Sequence, residues 1–378
     1  MRYFILAGEP SGDLHGSNLI RSLLKADPDA VIECWGGDLM SAAGGTLLKH
    51  YRETAFMGAW EVLVNIRSVI TNFDVCRRQI AEFKPDVTIL IDYPGFNLRI
   101  AKYVKGLGIK VYYYISPKFW AWRESRVKLV KKYVDRMYII FPFEVEFYRN
   151  HGYEAHYLGN PLIDQTETFR NEVSDNKSLR ETLGLDERPV VALLSGSRQQ
   201  EVKHILPEMI KVAGSFPDYQ FVVAAVSHLP AELYSGITGS FPVKTVTGKT
   251  YELLSVAEAS LVTSGTATLE AALFDVPQVV CYKTSAFTYK LSMMFLKVRF
   301  ISLVNLIMDR EIVKELIQDD LNEITLHREL SLILRSGYKH STMRENYSVL
   351  RFEMGGGGAS SRVAGDIIFS LKGSQARL

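Results

Sequence analysis

Short, continuously apolar runs return along this chain at intervals filled by amphipathic stretches, and no other feature restricts its fold so tightly. Arg2–Ala7, Val31–Trp35, Val87–Ile91, Ile109–Ile115 and Met137–Phe141 are rich in Val, Ile, Tyr and Phe and end near Gly, Pro, Asp or Ser. Runs of that length and composition read as buried strands. Helical stretches such as Asn18–Lys25 and Phe73–Phe83 lie between them. A strand apolar on both faces must be covered on both, which a parallel sheet layered by crossover helices provides. A polar segment, Asp164–Pro189, interrupts the pattern and reads as a crossing between domains, with Ser178–Leu183 as its one short helix. The alternation then restarts. Val190–Leu194, Phe221–Ala225, Ser260–Thr263 and Val279–Tyr282 read as strands, separated by helices around Glu201–Phe216, Tyr251–Ala257 and Thr266–Phe274.

The expectation is an α/β protein of two doubly wound, Rossmann-like parallel-sheet domains facing a cleft. Their bounds are 1–163 and 164–345, with a helical tail over 346–378. Gly355–Gly358 reads as a joint before a helix over Ser360–Leu371. That tail would return across the domains or exchange between subunits, and exchange would make a homodimer. In doubly wound sheets ligands bind beyond the carboxyl ends of the strands, so residues just after each strand are the ones to weigh.

Composition narrows the partners. With 47% apolar and 23% charged residues among 378, the chain is not disordered. A net charge of +2 speaks against a nucleic-acid partner. Three distant cysteines, Cys34, Cys76 and Cys281, suggest neither a disulfide framework nor a thiolate metal site, and suit a reducing cytoplasm. The eight histidines show no ligand spacing, so no metal and no cofactor are expected. The apolar start before Glu9 is too short for a signal-peptide core. Met293–Met308, broken by Lys297 and Arg299, falls short of the roughly 20 residues of a spanning helix.

Two nucleotide motifs fail. Gly8, Gly12 and Gly16 are spaced by four, which is not G-x-G-x-x-G, and Gly248-Lys249-Thr250 lacks the leading glycine of a P-loop because Val243 stands there. Better phosphate seats follow two strands of the second domain. Ser195-Gly196-Ser197-Arg198 precedes a helix containing Glu201; Ser197 can cap it, free N–H groups at its start favour an anion, and Arg198 suits phosphate oxygens. A simple cap with a surface arginine fits that loop equally. Ser264-Gly265-Thr266-Ala267-Thr268 opens a second helix, in which Glu270 can accept from ribose hydroxyls. Two such starts at adjacent strand ends suit a diphosphate.

In the first domain Asp92 ends a strand, where either a general base or a turn-capping carboxylate belongs. The segment Ser116–Arg126 mixes aromatics with Lys118, Arg123 and Arg126, and Lys128, Lys131 and Lys132 extend its basic face. Such a face fits RNA bases, a sugar phosphate or an anionic membrane surface. Phe56–Val64 is apolar enough to be a core helix or a lipid-facing patch.

Taken in order, Gly8-Glu-Pro-Ser-Gly-Asp13, Met57-Gly-x-x-Glu-Val62, Ile91-Asp-x-Pro-x-Phe-Asn97, Ser116-Pro-x-x-Trp-Ala-Trp-Arg123, Gly196-Ser-Arg198, Ser264-Gly-Thr-Ala-Thr-Leu-Glu270 and Asn305 resemble the lipid-A-disaccharide synthases over essentially the whole chain. The resemblance implies a GT-B fold and a peripheral seat on the cytoplasmic face of the inner membrane. It implies inverting transfer from UDP-2,3-diacylglucosamine to 2,3-diacylglucosamine 1-phosphate (lipid X), giving a β-1,6-linked disaccharide and UDP without a metal. By the same resemblance Asp92 is the base and Arg198 an essential arginine. Gly196, Ser197, Ser264, Gly265, Thr266, Glu270 and Asn305 contact the nucleotide sugar. Glu9, Ser11 and Gly12 lie near the reacting sugars, with Lys118, Trp120 and Arg123 on the acceptor side. Phe56, Met57, Trp60 and Leu63 would dock on lipid. Ser195 and Val304 stand where the family usually has proline, which puts the rigidity of two turns in doubt. Two alternatives remain: a UDP-N-acetylglucosamine 2-epimerase-like enzyme, whose first domain would be polar and lipid-free, and a non-catalytic membrane-surface or RNA-binding module.

Overall fold

The computed structural model describes residues 1–53, 66–121, 124–173, 175–285, 289 and 298–375. They form two compact units, Met1–Asp164 with Gly355–Leu378, and Gln165–Met354.

The first unit is built on seven strands: β1 (Arg2–Ala7), β2 (Val31–Gly36), β3 (Thr46–His50), β4 (Val87–Ile91), β5 (Lys110–Tyr114), β6 (Arg136–Ile139) and β7 (Ala155–Tyr157). All pair in parallel, in the order β3-β2-β1-β4-β5-β6-β7. Alternate side chains leave opposite faces of a strand. Tyr3, Ile5 and Ala7 therefore pack on one side with Leu19, Ile20 and Leu23 of the helix Pro10–Ala26. Phe4 and Leu6 pack on the other, with Ile80 and with Ile100 and Val104 of the helix Pro94–Gly106.

The chain's last helix, Ala359–Gln375, completes this unit. Val363, Ala364, Ile367, Ile368 and Leu371 are buried against the face carrying Tyr3 and Ile5. Asp164 accepts from the N–H groups of Gly358, Ala359 and Ser360 at the helix start (2.5, 3.3 and 3.2 Å). Arg136 grips Asp366 with two bonds (2.7 and 3.0 Å), and the Tyr138 hydroxyl adds a third at 2.8 Å. The expected tail boundary at 345/346 instead falls inside the helix Lys339–Glu353, which stays with the second unit. The hand-over comes at the glycine run, where Gly355, Gly356 and Gly358 all take positive φ (78°, 68° and 87°).

The second unit repeats the plan with six parallel strands: β8 (Val190–Leu194), β9 (Gln220–Ala225), β10 (Val243–Thr247), β11 (Ala257–Thr263), β12 (Gln278–Tyr282) and β13 (Lys314–Ile317). Their order is β10-β9-β8-β11-β12-β13. The polar crossing holds more helix than its composition suggested, Pro161–Glu172 and Asn176–Leu183, the latter capped by Asp175.

In each sheet the winding reverses between two central strands, β1 and β4 in the first and β8 and β11 in the second. The connections leave such a pair in opposite directions and open a crevice at the carboxyl ends. Among the described residues no helix is long and apolar enough to cross a membrane.

Candidate active site

In the first unit the crevice is flanked by the loops after β1 and β4. After β1 the chain passes through Gly8 and Glu9 into the helix Pro10–Ala26, whose first turn holds exposed Ser11 and buried Gly12. Gly8 is required: a Cβ there would lie 2.4 Å from the Tyr93 ring. Asp13 is buried and committed elsewhere, accepting from the N–H groups of Gly37, Leu39 and Met40 (2.8, 3.2 and 3.0 Å) at the start of the helix Asp38–Ala42.

Asp92 and Tyr93 both adopt the left-handed backbone region, with φ of 42° and 48°. That conformation costs roughly 1–3 kcal/mol per non-glycine residue and persists only where surroundings enforce it. The enforcing contacts are local. The Asp92 N–H donates to Tyr114 O (3.1 Å), and the Asp92 carbonyl accepts from Asn97 Nδ2 (2.7 Å) and from the Tyr113 hydroxyl. Asn97 and Tyr113 are thus the props of the candidate base, which position after a strand alone does not reveal. Burial pushes the Asp92 carboxyl up to about 6, and the Glu9 carboxylate adds to the rise. The Lys118 ammonium and a backbone hydrogen bond at Tyr93 pull it back. A carboxylate poised there is ionised at neutral pH yet far more basic than a solvated aspartate.

The loop after β5 brings up Lys118 and Trp120. Lys118 is exposed, while Trp120 is half-buried and edge-on to Phe143 at 5.0 Å. Beneath them Ser116 donates to Glu144 (2.8 Å), a fully buried carboxyl that no sequence motif singles out. Arg123 lies outside the described residues, as do Phe56, Met57, Trp60 and Leu63.

In the second unit the crevice is flanked by Ser195–Arg198 and Ser264–Thr268. The helix Gln199–Lys211 is preceded by Arg198 rather than capped by Ser197. The N–H groups of Ser197 and Arg198 are not free for an anion as expected, because Glu201 reaches back and takes both (3.0 and 3.1 Å). Gly196, at φ 111°, makes room: a Cβ would sit 2.5 Å from Glu201 Oε2. The Arg198 side chain is 81% exposed and only 3.5 Å from Glu201 Oε1, so its guanidinium stays available to a ligand. The buried Ser195 hydroxyl finds no hydrogen-bond partner among the described residues.

Gly265 precedes the helix Thr266–Leu273, with Thr266 exposed at its start. Ser264 donates to Ile301 O (2.7 Å) and Thr268 Oγ1 accepts from the Leu303 N–H (3.3 Å), which ties this loop to residues 301–303. Glu270 accepts from the Tyr251 hydroxyl (3.0 Å) and is raised by burial. Asn305 departs from its expected role. It is fully buried, its Nδ2 donates to Val313 O and Glu315 Oε1 (2.9 Å each), and its Oδ1 accepts from Ile312 and Val313 (2.7 and 3.0 Å). That carboxamide has no capacity left for a nucleotide. Glu315, unremarked in the sequence, completes the brace by accepting from Ile301 and Ser302.

The chain is similar to known proteins along its length. The family model described as lipid-A-disaccharide synthetase matches residues 3–360. A lipid-A-disaccharide synthase of Myxococcus xanthus is 38% identical over 377 residues, 97% of each chain. One of Geobacter sulfurreducens is 37% identical over 381 residues, 99% of this chain and 98% of its own. Among solved structures, a UDP-GlcNAc 2-epimerase from Neisseria meningitidis bound to UDP-GlcNAc superposes with a TM-score of 0.66 at 13% identity, covering 97% of this chain and all of that one (100%). The last likeness shows the shared GT-B fold alone.

Proposed function

We infer that this chain, which belongs to the lipid-A-disaccharide synthetase family, transfers a glycosyl group with Asp92 as base and Arg198 as clamp on the leaving nucleotide. Family membership makes it a glycosyltransferase of lipid A synthesis; the substrates and residue roles are our reading. The donor is UDP-2,3-diacylglucosamine and the acceptor lipid X. Asp92 takes the proton of the acceptor's 6-hydroxyl as that oxygen attacks the anomeric carbon from the face opposite UDP. The new β-1,6 bond forms, the bond to the diphosphate breaks, and the electron pair leaves on UDP.

The observation that carries this is Asp92 itself, at a sheet's switch point, with a strained backbone held from three sides and a carboxyl raised to about 6. Arg198 supports the departure of charge, since a guanidinium can bind two phosphate oxygens at once. With Glu201 occupying the neighbouring N–H groups, that arginine carries more of the diphosphate than a bare helix start would require. The loop Gly196–Arg198 and the braced loop Ser264–Thr266, with Glu270, frame the uridine diphosphate. Glu9, Ser11, Gly12, Lys118, Trp120 and Arg123 serve the acceptor. Phe56, Met57, Trp60 and Leu63 with the basic run Lys128–Lys132 would seat the chain peripherally on the inner membrane, where both acylated substrates reside.

Purified protein mixed with both substrates and EDTA, followed by mass spectrometry, tests the reading. Disaccharide and UDP should appear together, and unacylated UDP-N-acetylglucosamine should give neither transfer nor epimerisation. Asp92→Asn should lose roughly 100-fold or more in turnover and Arg198→Ala a comparable factor. Near-normal turnover in either variant removes that residue's role.

A further inference from the structure

We infer that Glu144 is a positioning residue for this transfer, fixing the loop after β5 so that Lys118 stays beside Asp92. The inference rests on Asp92 acting as the base. Glu144, in the first unit, is only 1% exposed. Its hydrogen bonds among the described residues all come from neutral donors. Oε1 accepts from Ser116 Oγ at 2.8 Å, while Oε2 accepts from the N–H groups of Ile140 and Phe141 at 3.2 and 3.1 Å. The buried indole N–H of Trp120 lies near the same carboxylate, short of a full hydrogen bond. On Glu144's own helix, Phe143–Asn150, the Tyr148 hydroxyl sits 2.9 Å from Ser116 Oγ and fixes it from the second side.

One carboxyl therefore ties together the exits of two adjacent strands. Its Oε2 holds the turn out of β6 and its Oε1 holds the turn out of β5. Ser116 is two residues before Lys118, and Ile115 beside it is already in the left-handed region at φ 64°. From outside the loop, Tyr138 O holds the Ile115 N–H at 3.0 Å, and Glu144 and Tyr148 hold Ser116. Burying a carboxyl without a cation is costly, and a residue of similar size without charge would pack there at less expense. Burial indeed raises Glu144 to about 7, with only the hydrogen bonds opposing it.

The chain of effects is specific. Asp92 is faced by Glu9 from the loop after β1, by Lys118 from the loop after β5, and by Tyr93 and Tyr113 at its backbone. Glu144 is faced by Ser116 and Trp120 from that loop, by Tyr148 from its own helix and by Tyr157 from β7. Among the described residues Lys118 is the cation acting on Asp92, and it lowers the carboxyl's pKa. Loosening the loop withdraws it, so Asp92 should titrate at higher pH.

The test is the pH profile of kcat/KM for the acceptor, at saturating donor, in full-length Glu144→Gln, Ser116→Ala and Lys118→Met, with UDP affinity and Tm measured alongside. All three variants should move the acid limb to higher pH. Glu144→Gln and Ser116→Ala should also lose roughly ten- to 100-fold in kcat/KM for acceptor, the scale of a loop misplaced by about 1 Å. UDP affinity, which belongs to the second unit, should hold. A limb at the wild-type pH in folded Ser116→Ala and Lys118→Met overturns the inference, even if Glu144→Gln proves unstable. Asp92→Asn run in parallel keeps the two readings apart. Turnover without Asp92 removes the base; an unchanged kcat/KM for acceptor in Ser116→Ala and Glu144→Gln removes the positioning role.

Discussion

Asp92 gives the molecule its sharpest signature in pH. Its carboxyl titrates near 6 rather than 3.8 because burial and Glu9 both disfavour the charge. A base must be ionised to accept a proton, so kcat/KM should fall as pH drops through about 6, two units above where a solvated aspartate would set the limb. Glu9→Gln removes a like charge and should move that limb to lower pH, which a pH–rate profile reads directly. The stability linkage has a definite sign. A folded-state pKa above the unfolded one means the folded chain binds the extra proton, so this group's stabilising contribution is present below about 4 and lost as pH rises through about 6. Position after a buried strand made Asp92 legible in the sequence. Its props, Asn97 and Tyr113, were not, because a side chain bonding a carbonyl on a neighbouring strand leaves no periodic trace. Asn305 failed in the opposite direction. A motif gave it to the nucleotide, whereas four hydrogen bonds give it to Ile312, Val313 and Glu315.

At the level of elements, the strands missed in the sequence are β3, β7, β10 and β13, and these are the four edges of the two sheets. An edge strand has a neighbour on one side only and tolerates polar residues, as the exposed Lys244 and Thr245 of β10 show. The continuous apolar run that marks a central strand is absent there. The helix starts after β8 and β11 lie close to where the sequence placed them, but what occupies the first was not legible: Glu201 sits on the N–H groups expected to await phosphate. Gly196→Ala should break that loop twice over, through φ 111° and a Cβ 2.5 Å from Glu201 Oε2, weakening UDP binding measured by calorimetry. We expect a loss of about 1–3 kcal/mol. Asn305→Ala should behave differently. It should lower unfolding stability in urea by roughly 2–4 kcal/mol through orphaned buried partners, with no specific loss of UDP affinity in the protein that remains folded.

For the whole molecule, the decisive segment is the last one. The helix Ala359–Gln375 contributes Val363, Ile367, Ile368 and Leu371 to the core of the unit that begins at Met1. At roughly 1.5–3 kcal/mol for each such side chain, their removal costs about as much as an entire domain's stability of about 5–15 kcal/mol. A chain ending at Met354 should therefore keep a folded second unit and lose the first, which limited proteolysis would show as selective digestion of residues 1–164. Single strands and helices announce themselves locally, but a helix that packs more than 300 residues away from its sheet partner β1 has no local signal to give. The same arrangement sets a timetable for biosynthesis. On the ribosome the strands of the first sheet are made early, yet its closing helix follows the whole of the second unit. Translation at about 5–20 residues per second leaves that apolar face open for roughly ten to forty seconds while Gln165–Met354 is made. Through that interval the face awaits Val363, Ile367, Ile368 and Leu371.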